Sequence, residues 1–431
     1  MKSNNATVPA TASAPSLISL PTGASAWFAG IPPGQSPDTY QIDWVTSLLR
    51  EAAYFSIFSM PNAATPNVPI PSPLNPSALI GVEVHEDLHR FDIQVEPPTP
   101  RGRIPARKRI GEPVAHVQIN WMVIPDDFQA APGLYPPPTE LDPTRSQRFA
   151  MLDGRMSWLD RGRSGFRAFG TGRTFPDMVG STPQSRIGAV IDILEGFGQF
   201  QQLQGAICVN GYITPPQGLA LNLILRFLDP QEKLRASSSL APLQEIGDPD
   251  PDTVFLTFLG EVDPAKPTTL QQIPSGVRAS VHERLRLMRI EFDIGSSHGI
   301  RCRTTEGRIV ATLSGTLLFN PFDPNQITPV QTTVGVFTFF DQTGCVIATL
   351  RANIAEGRGF RTQLPGAPGP IFRFGGFGPF LGGTGVFQNA VGMMSLNAAI
   401  SVFPRTLSNL YALRISDPDG RFRTACSQAW S

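Results

Sequence analysis

The stretch that decides the fold is GGTGVFQNAVGMMSLNAAISVFP, residues 382–404, in which glycines lead through a phenylalanine into small apolar residues. It could belong to a phosphate-binding loop, a low-complexity tract or a β-barrel. A phosphate loop needs GxxxxGK[ST], or GxGxxG between a strand and a helix. Here no lysine follows the glycines, and Gln388 stands where the third glycine would be. Because the residues that follow resemble a strand, we interpret the glycines as bends in barrel strands.

The same pattern occurs earlier in the chain. Residues 196–210 read GFGQFQQLQGAICVN, and residues 383–397 read GTGVFQNAVGMMSLN. The matching pairs, all 187 positions apart, are Gly196 with Gly383, Gly198 with Gly385, Phe200 with Phe387, Gln201 with Gln388, Gly205 with Gly392 and Asn210 with Asn397. Two more blocks recur in the same order, GRTF (172–175) with GRGF (357–360) and VHEDLHRFDI (84–93) with VHERLRLMRIEFDI (281–294). These matches indicate a tandem duplication.

The duplication predicts the domain limits. A helix is expected within residues 39–60, where apolar residues have the spacing of one amphipathic face. The predicted segments are a disordered leader (1–38), a helix with a Pro-rich connection (39–77), a first barrel (78–235), a linker with a bridging strand (236–275) and a second barrel (276–431).

Composition and periodicity predict the fold class. The 431 residues include 40 Gly and 43 Pro, and only 16% are charged, which is typical of a turn-rich β protein. Segments such as GRIVATLSGTLLFNP (307–321) alternate with a period near two. Closure of each unit into a barrel removes exposed strand edges. We therefore predict a mainly β fold with two tandem antiparallel β-barrel domains and a short N-terminal helix.

Charge and cysteine content exclude several partners. The net charge is zero, so nothing favours binding to nucleic acid or to an anionic membrane. No apolar run is long enough for a membrane span. The four cysteines form no CxxC pair, which argues against a zinc ribbon or a disulfide framework. A cytoplasmic protein with no metal and no cofactor is expected.

The quoted stretch resembles the G-x-G-x-F turn and long strand of allene oxide cyclases, dirigent proteins and bacterial natural-product cyclases. The likeness is closer in the second unit than in the first. It implies this type of barrel and a hydrophobic small-molecule ligand. Related barrels often form dimers or trimers, so a homo-oligomer is left open. The plant enzymes tend to carry an acidic residue after the motif phenylalanine, whereas this chain has Gln201 and Gln388.

The segment HEDLH (85–89) has the form of a zinc-binding HExxH motif, which requires a helix. Its flanks GVEV and FDIQV predict a strand, on which His85 and His89 would lie about 13 Å apart. The second unit keeps His282 and Glu283 but replaces the second histidine by arginine. We therefore predict no metal site here.

Polar residues of the repeated blocks are the candidate site. A barrel interior can raise the pKa of a carboxyl toward neutrality, and an arginine can anchor a carboxylate or polarise a carbonyl. The predicted catalytic residues are Glu356, Arg358, His282 and Glu283, and the predicted ligand-binding residues are Asn397, Phe387, Gln388, Asn210, His85 and Glu86. The alternatives are surface or strand-end pairs for the His-Glu dipeptides, a salt bridge at the barrel end for the Glu-Arg pair, and backbone hydrogen bonds for the asparagines.

Two functions remain open. In the first, a cofactor-independent isomerase or cyclase binds a lipid, terpenoid or polyketide-like molecule in an apolar barrel and steers its cyclisation by positioning. In the second, the double barrel is a non-catalytic ligand-binding or structural protein, because a small barrel can be filled by its own side chains.

Overall fold

The structure, a computed structural model, describes residues 39–42, 52–179, 182–214, 218–236, 239–295, 299–319, 328–362, 371–402 and 405–422. The predicted leader (1–38) and residues 43–51 of the predicted helix lie outside them. No helix within the described ranges has the length and apolar character of a membrane span.

The helix predicted over residues 39–60 is wrong from Ala52 onward, because Ala52–Pro61 is a β-strand. Its first eight residues are buried on both faces. A strand that is covered on both faces reads as a continuous apolar run and lacks the alternation that identifies a strand. Thr39–Ile42 is also a strand.

The first half forms a closed antiparallel barrel. The strands of this half are β1 (Thr39–Ile42), β2 (Ala52–Pro61), β3 (Val68–Pro71), β4 (Leu79–Val95), β5 (Ala106–Ile124), β6 (Arg148–Trp158), β7 (Gly165–Val179), β8 (Thr182–Phe197), β9 (Gln204–Thr214) and β10 (Gly218–Leu228). Strand β2 pairs with both β10 and β4, which closes the ring in the order β2-β10-β9-β8-β7-β6-β5-β4. The short β3 pairs with β4 along the same edge as β2.

The second half repeats this ring. The strands of this half are β11 (Thr253–Val262), β12 (Thr268–Ile273), β13 (Gly276–Gly295), β14 (Gly299–Phe319), β15 (Thr328–Thr332), β16 (Gly335–Phe340), β17 (Val346–Ala352), β18 (Glu356–Thr362), β19 (Ile371–Gly383), β20 (Gly392–Val402) and β21 (Arg405–Ser416). Strand β13 pairs with both β11 and β14, which closes the ring. Two positions of the ring are each filled by two short strands, one by β15 and β16 and the other by β17 and β18. The short β12 pairs with β13, and β1 pairs with β12.

The predicted double barrel is therefore confirmed, and the two rings have the same strand order. Each ring begins with a strand that lies upstream of the predicted unit, β2 before residue 78 and β11 before residue 276. The ladders also confirm the repeated GR[TG]F block. Gly172 pairs with Ala189 and Gly357 pairs with Gly376, so the glycines occupy equivalent positions.

The repeated glycine motif forms a tight turn in both halves. Gly198–Phe200 and Gly385–Phe387 are single 3-10 turns that link β8 to β9 and β19 to β20. Gly198 and Gly385 have φ values of 63° and 62°, a left-handed conformation that glycine adopts without strain. Phe200 and Phe387 are fully buried. The glycines let the chain turn, and the phenylalanines fill the barrels.

Aromatic side chains pack inside each barrel. In the first, the ring centroid of Phe200 lies 4.9 Å from that of Phe227 and 5.5 Å from that of Trp158. In the second, Phe339 lies 4.8 Å from Phe387. Rings at these separations gain aromatic contact energy beyond their buried area. Both interiors are thus occupied at this level by the protein's own side chains.

Each barrel is covered at one end by a hairpin from the other barrel. The β4–β5 hairpin has a bulge around His89. Beyond the bulge, the ring centroid of Phe91 lies 5.0 Å from that of Phe255 in the second barrel. The β13–β14 hairpin has a bulge around Arg286. Beyond this bulge, the ring centroid of Phe292 lies 5.3 Å from that of Phe55 in the first barrel. The two phenylalanines belong to the repeated FDI sequences. Each barrel therefore inserts the equivalent hairpin into the other, and the exchange is reciprocal.

The barrels also meet along β8–β9 and β19–β20, again reciprocally. The side-chain amide of Asn210 donates to the Met393 carbonyl at 3.0 Å, and that of Asn397 donates to the Ala206 carbonyl at 3.0 Å. Both pairs of positions are 187 apart, so an approximate two-fold axis relates the two contacts. Such an interface is isologous, as in a symmetric dimer, but here it lies within one chain.

Two equivalent glycines allow this close approach. A side chain on Gly188 would overlap the ring of Phe377, and one on Gly375 would come 2.8 Å from Val190 Cγ1 and Cys208 Sγ. Gly188 and Gly375 are 187 positions apart, as are Val190 and Phe377. On each side of the axis, therefore, the backbone at a glycine of one barrel packs against a side chain of the other barrel.

We expect Gly188→Ala to lower the thermal unfolding midpoint, because its methyl group overlaps a buried ring; overpacking of this kind costs about 1–3 kcal/mol. Gly335→Ala is the matched control, since its new methyl group meets only ordinary contacts at 3.4 Å. Phe377→Leu should recover part of the loss in the Gly188→Ala background. A Gly188→Ala midpoint equal to that of the control would contradict this packing.

Candidate functional site

The four residues predicted to be catalytic lie in three places. His282 and Glu283 are neighbours on β13 and therefore point to opposite faces, with Glu283 fully buried and His282 partly exposed. Glu356 and Arg358 are two residues apart on β18, and both face a cleft between the barrels. The structure thus brings Glu356 and Arg358 together and keeps the His-Glu pair away from them.

Glu283 points into the second barrel. Tyr411 donates its hydroxyl to Glu283 Oε2 at 2.9 Å, and the Asn409 amide donates to Oε1. Gly260 leaves the space that the carboxyl occupies, because a side chain there would collide with Oε2. Burial raises the pKa of Glu283 to about 7, although both hydrogen bonds oppose the shift.

Glu86 occupies the equivalent place in the first barrel. It pairs with Pro61 in the ladder as Glu283 pairs with Val262. Ser59 donates its hydroxyl to Glu86 Oε2, and Oε1 is buried with no hydrogen-bond partner among the described residues. Burial raises the pKa of Glu86 to about 7 as well. Each barrel therefore holds one interior carboxyl that titrates near neutral pH.

The histidines lie outside the barrels. His85 is hydrogen-bonded to Glu83 at 3.1 Å, and His282 to the Ser314 hydroxyl at 3.1 Å. The HEDLH segment lies within strand β4, as predicted, and His89 binds the Gly111 carbonyl. Within the described part of the chain, no group of three or more His, Cys, Asp or Glu residues is arranged to hold a metal ion.

The motif residues predicted to bind ligand have other contacts. Asn210 and Asn397 join the two barrels, as described above, which matches the backbone alternative. Phe387 lies in the second core, packed on Phe339. Gln388 is exposed, and its carbonyl accepts a hydrogen bond from Arg421. Ligand binding by these residues stays a prediction.

The inter-barrel cleft has a volume of about 710 Å³ and is lined by both barrels. Its charged residues are Asp126, Arg148, Arg173 and Asp192 from the first half and Glu356 and Arg358 from the second. Its apolar surface includes Ala130, Ala131, Pro329, Val330, Ala355 and Phe360. A ligand in this cleft would meet charged groups and apolar side chains together.

Ion pairs across the cleft join the barrels. Glu356 accepts from Arg148 Nε at 3.3 Å and from Arg173 Nε at 3.2 Å. Arg173 also pairs with Asp126 at 2.6 Å, and Asp192 pairs with Arg373 at 3.1 Å. The salt-bridge alternative for Glu356 is thus present, and its partners come from the other barrel.

Arg358 differs from the other arginines of the cleft. It is only 8% exposed, and its Nη1 is buried without a hydrogen-bond partner among the described residues. Burial lowers the pKa of Arg358 to about 10, against the opposing effect of Glu356. Its guanidinium has no ion pair in the described ranges and lines the cleft, so it can receive an anionic group.

The sequence analysis missed the first barrel's share of this site. Arg173 is the second residue of GRTF, at the position that Arg358 has in GRGF, so the repeat itself pointed to it. Arg148 and Asp192 carry no such signal, because they lie outside the repeated blocks.

No known protein family, curated protein or solved structure matches this chain. Likeness to known proteins therefore assigns neither a family nor a reaction. The functional assignment rests on the contacts within the molecule.

The interior carboxyls predict a pH-dependent stability. Their pKa is about 7 in the folded protein against an ordinary value of 4.5 for glutamate, so between these pH values the folded state holds protons that the unfolded chain releases. The free energy of unfolding should therefore be highest near and below pH 4.5 and fall as the pH rises through 7, by about 3 kcal/mol for each carboxyl.

Denaturant unfolding of the wild type, Glu86→Gln and Glu283→Gln between pH 5 and 8 measures this effect. Each glutamine variant should show a shallower loss, because its side chain stays neutral at every pH. Glu306→Gln, at an exposed carboxyl on β14, is the control and should follow the wild type. A wild-type midpoint that does not fall with pH would show that these carboxyls are not buried.

Proposed function

We propose that the protein binds a small molecule in the inter-barrel cleft and that binding, rather than catalysis, is its primary activity. The observation that carries this proposal is the cleft itself, about 710 Å³ in volume and built from side chains of both halves. Ligand pockets in proteins measure about 300–1,000 Å³ and combine apolar walls with a few polar groups. The cleft has both features.

The cleft suits a ligand better than the barrel interiors do. The interiors hold stacked aromatic side chains and the phenylalanines of the exchanged hairpins. A ligand inside a barrel would have to displace this packing, whereas the cleft is open between the two halves. This supports the ligand-binding alternative over the apolar-barrel reaction predicted from the sequence.

Membership of the allene oxide cyclase-like barrels is part of the proposal. Two antiparallel rings and the G-x-G-x-F turn at equivalent places in both support it. The partner is accordingly proposed to be a small molecule with a substantial apolar portion, for which Pro329, Ala131 and Ala355 provide contact surface.

Ala131→Trp tests the location, because a tryptophan at this partly buried position would fill part of the cleft. Native mass spectrometry of the intact protein should detect a co-purifying small molecule on the wild type, and the variant should carry at least tenfold less. Ala265→Trp, in an exposed turn, is the matched control and should keep the wild-type load. Equal loading of both variants would place the ligand elsewhere.

Catalysis in the same cleft is the second candidate, favoured by the position of Glu356 beside Arg358. An isomerase or cyclase would convert the bound molecule into a product of equal mass but different chromatographic retention. Wild-type protein should produce this change in the extracted ligand, and Glu356→Gln should bind the ligand without changing it. A ligand that keeps its retention time on the wild type would leave binding as the function.

A further inference from the structure

The unpaired guanidinium of Arg358 identifies the chemistry of the ligand. A buried charge without a partner is costly, and buried arginines normally pair with carboxylates or phosphates. The other arginines of the cleft have such partners, Arg148 and Arg173 in Glu356 and Arg173 also in Asp126. Arg358 has none in the described part of the chain.

Arg358 is the one charged residue of the cleft lining that has no ion pair in the described ranges. Asp126 and Glu356 pair with Arg148 and Arg173, and Asp192 pairs with Arg373, which lies outside the lining. A ligand with a single negative charge would pair with Arg358. A second negative charge would meet only arginines that already pair with Asp126 or Glu356.

We propose that the cleft binds a monocarboxylate with an apolar body, and that the guanidinium of Arg358 binds the carboxylate. This rests on the proposed function. A guanidinium can donate two parallel hydrogen bonds to a carboxylate, which orients the ligand as well as holding it. Pro329, Ala131 and Ala355 line the same cleft and are accessible there, so they would contact the apolar portion.

Three probes of similar shape test which ligand charge the cleft prefers. They are 2-naphthoate, its uncharged counterpart 2-naphthamide, and the dianionic 2-naphthyl phosphate, each titrated calorimetrically into the full-length protein. The wild type should bind 2-naphthoate at least tenfold more tightly than either of the other two. Charge-assisted hydrogen bonds of the size expected here correspond to a tenfold effect or more.

Arg358→Gln should weaken 2-naphthoate binding at least tenfold and leave 2-naphthamide binding unchanged. Its ligand-free thermal midpoint should not fall, because the substitution removes an unpaired buried charge. Arg167→Gln, at an exposed arginine paired with Glu195, is the control and should bind all probes as the wild type does.

The outcomes separate this inference from the proposed function. Equal binding of naphthoate and naphthamide, with both weakened by Ala131→Trp, would overturn the carboxylate assignment and leave the cleft as the site. Tighter binding of 2-naphthyl phosphate would replace the carboxylate by a phosphate. Naphthoate binding that survives Arg358→Gln would overturn the role of Arg358. No binding of any probe would overturn the ligand class, while the co-purification experiment would still decide the function.

Discussion

The exchange of hairpins between the barrels is the constraint on which the rest of the structure depends. Phe91 completes the core of the second barrel and Phe292 that of the first, so neither barrel has a complete core by itself. Backbone hydrogen bonds accompany both insertions, from Ala106 to Phe422 and from Cys302 to Leu234. Separating the barrels would expose these apolar side chains to water, which costs about 25 cal/mol for each Å² exposed. The two halves therefore behave as one folded unit.

The residues that line the cleft differ between the two halves, although the two barrels have the same strand order. In the first half, Arg148 pairs with Arg173 across the ladder; at the equivalent place in the second half, Pro329 pairs with Arg358. The halves have thus diverged where they face each other. The second half contributes Glu356, which forms ion pairs with both arginines of the first half, and Arg358, which has no ion pair in the described ranges. The approximate symmetry holds the barrels together, and the departure from it creates the site.

The interior carboxyls show a related divergence. Ser59 and Gly260 occupy equivalent ladder positions, two residues before the partner of the buried glutamate in each barrel. In the first barrel the serine hydroxyl reaches Glu86, and in the second the glycine leaves room for Glu283 to reach Tyr411. Both arrangements raise the pKa of the carboxyl to about 7, because desolvation outweighs the hydrogen bonds in each case.

The sequence by itself determined the duplication, the barrel class and the turn at the glycine motif, since glycine conformation, strand alternation and repeated blocks are local properties. It did not identify β2, because a strand that is buried on both faces lacks alternation. It also pointed to Glu356 and Arg358 but not to Arg148 or Asp192. Only the tertiary structure decided that the repeated Asn and FDI residues join the barrels and that the cleft lies between them. These outcomes depend on contacts between residues more than 160 positions apart, which no local pattern records.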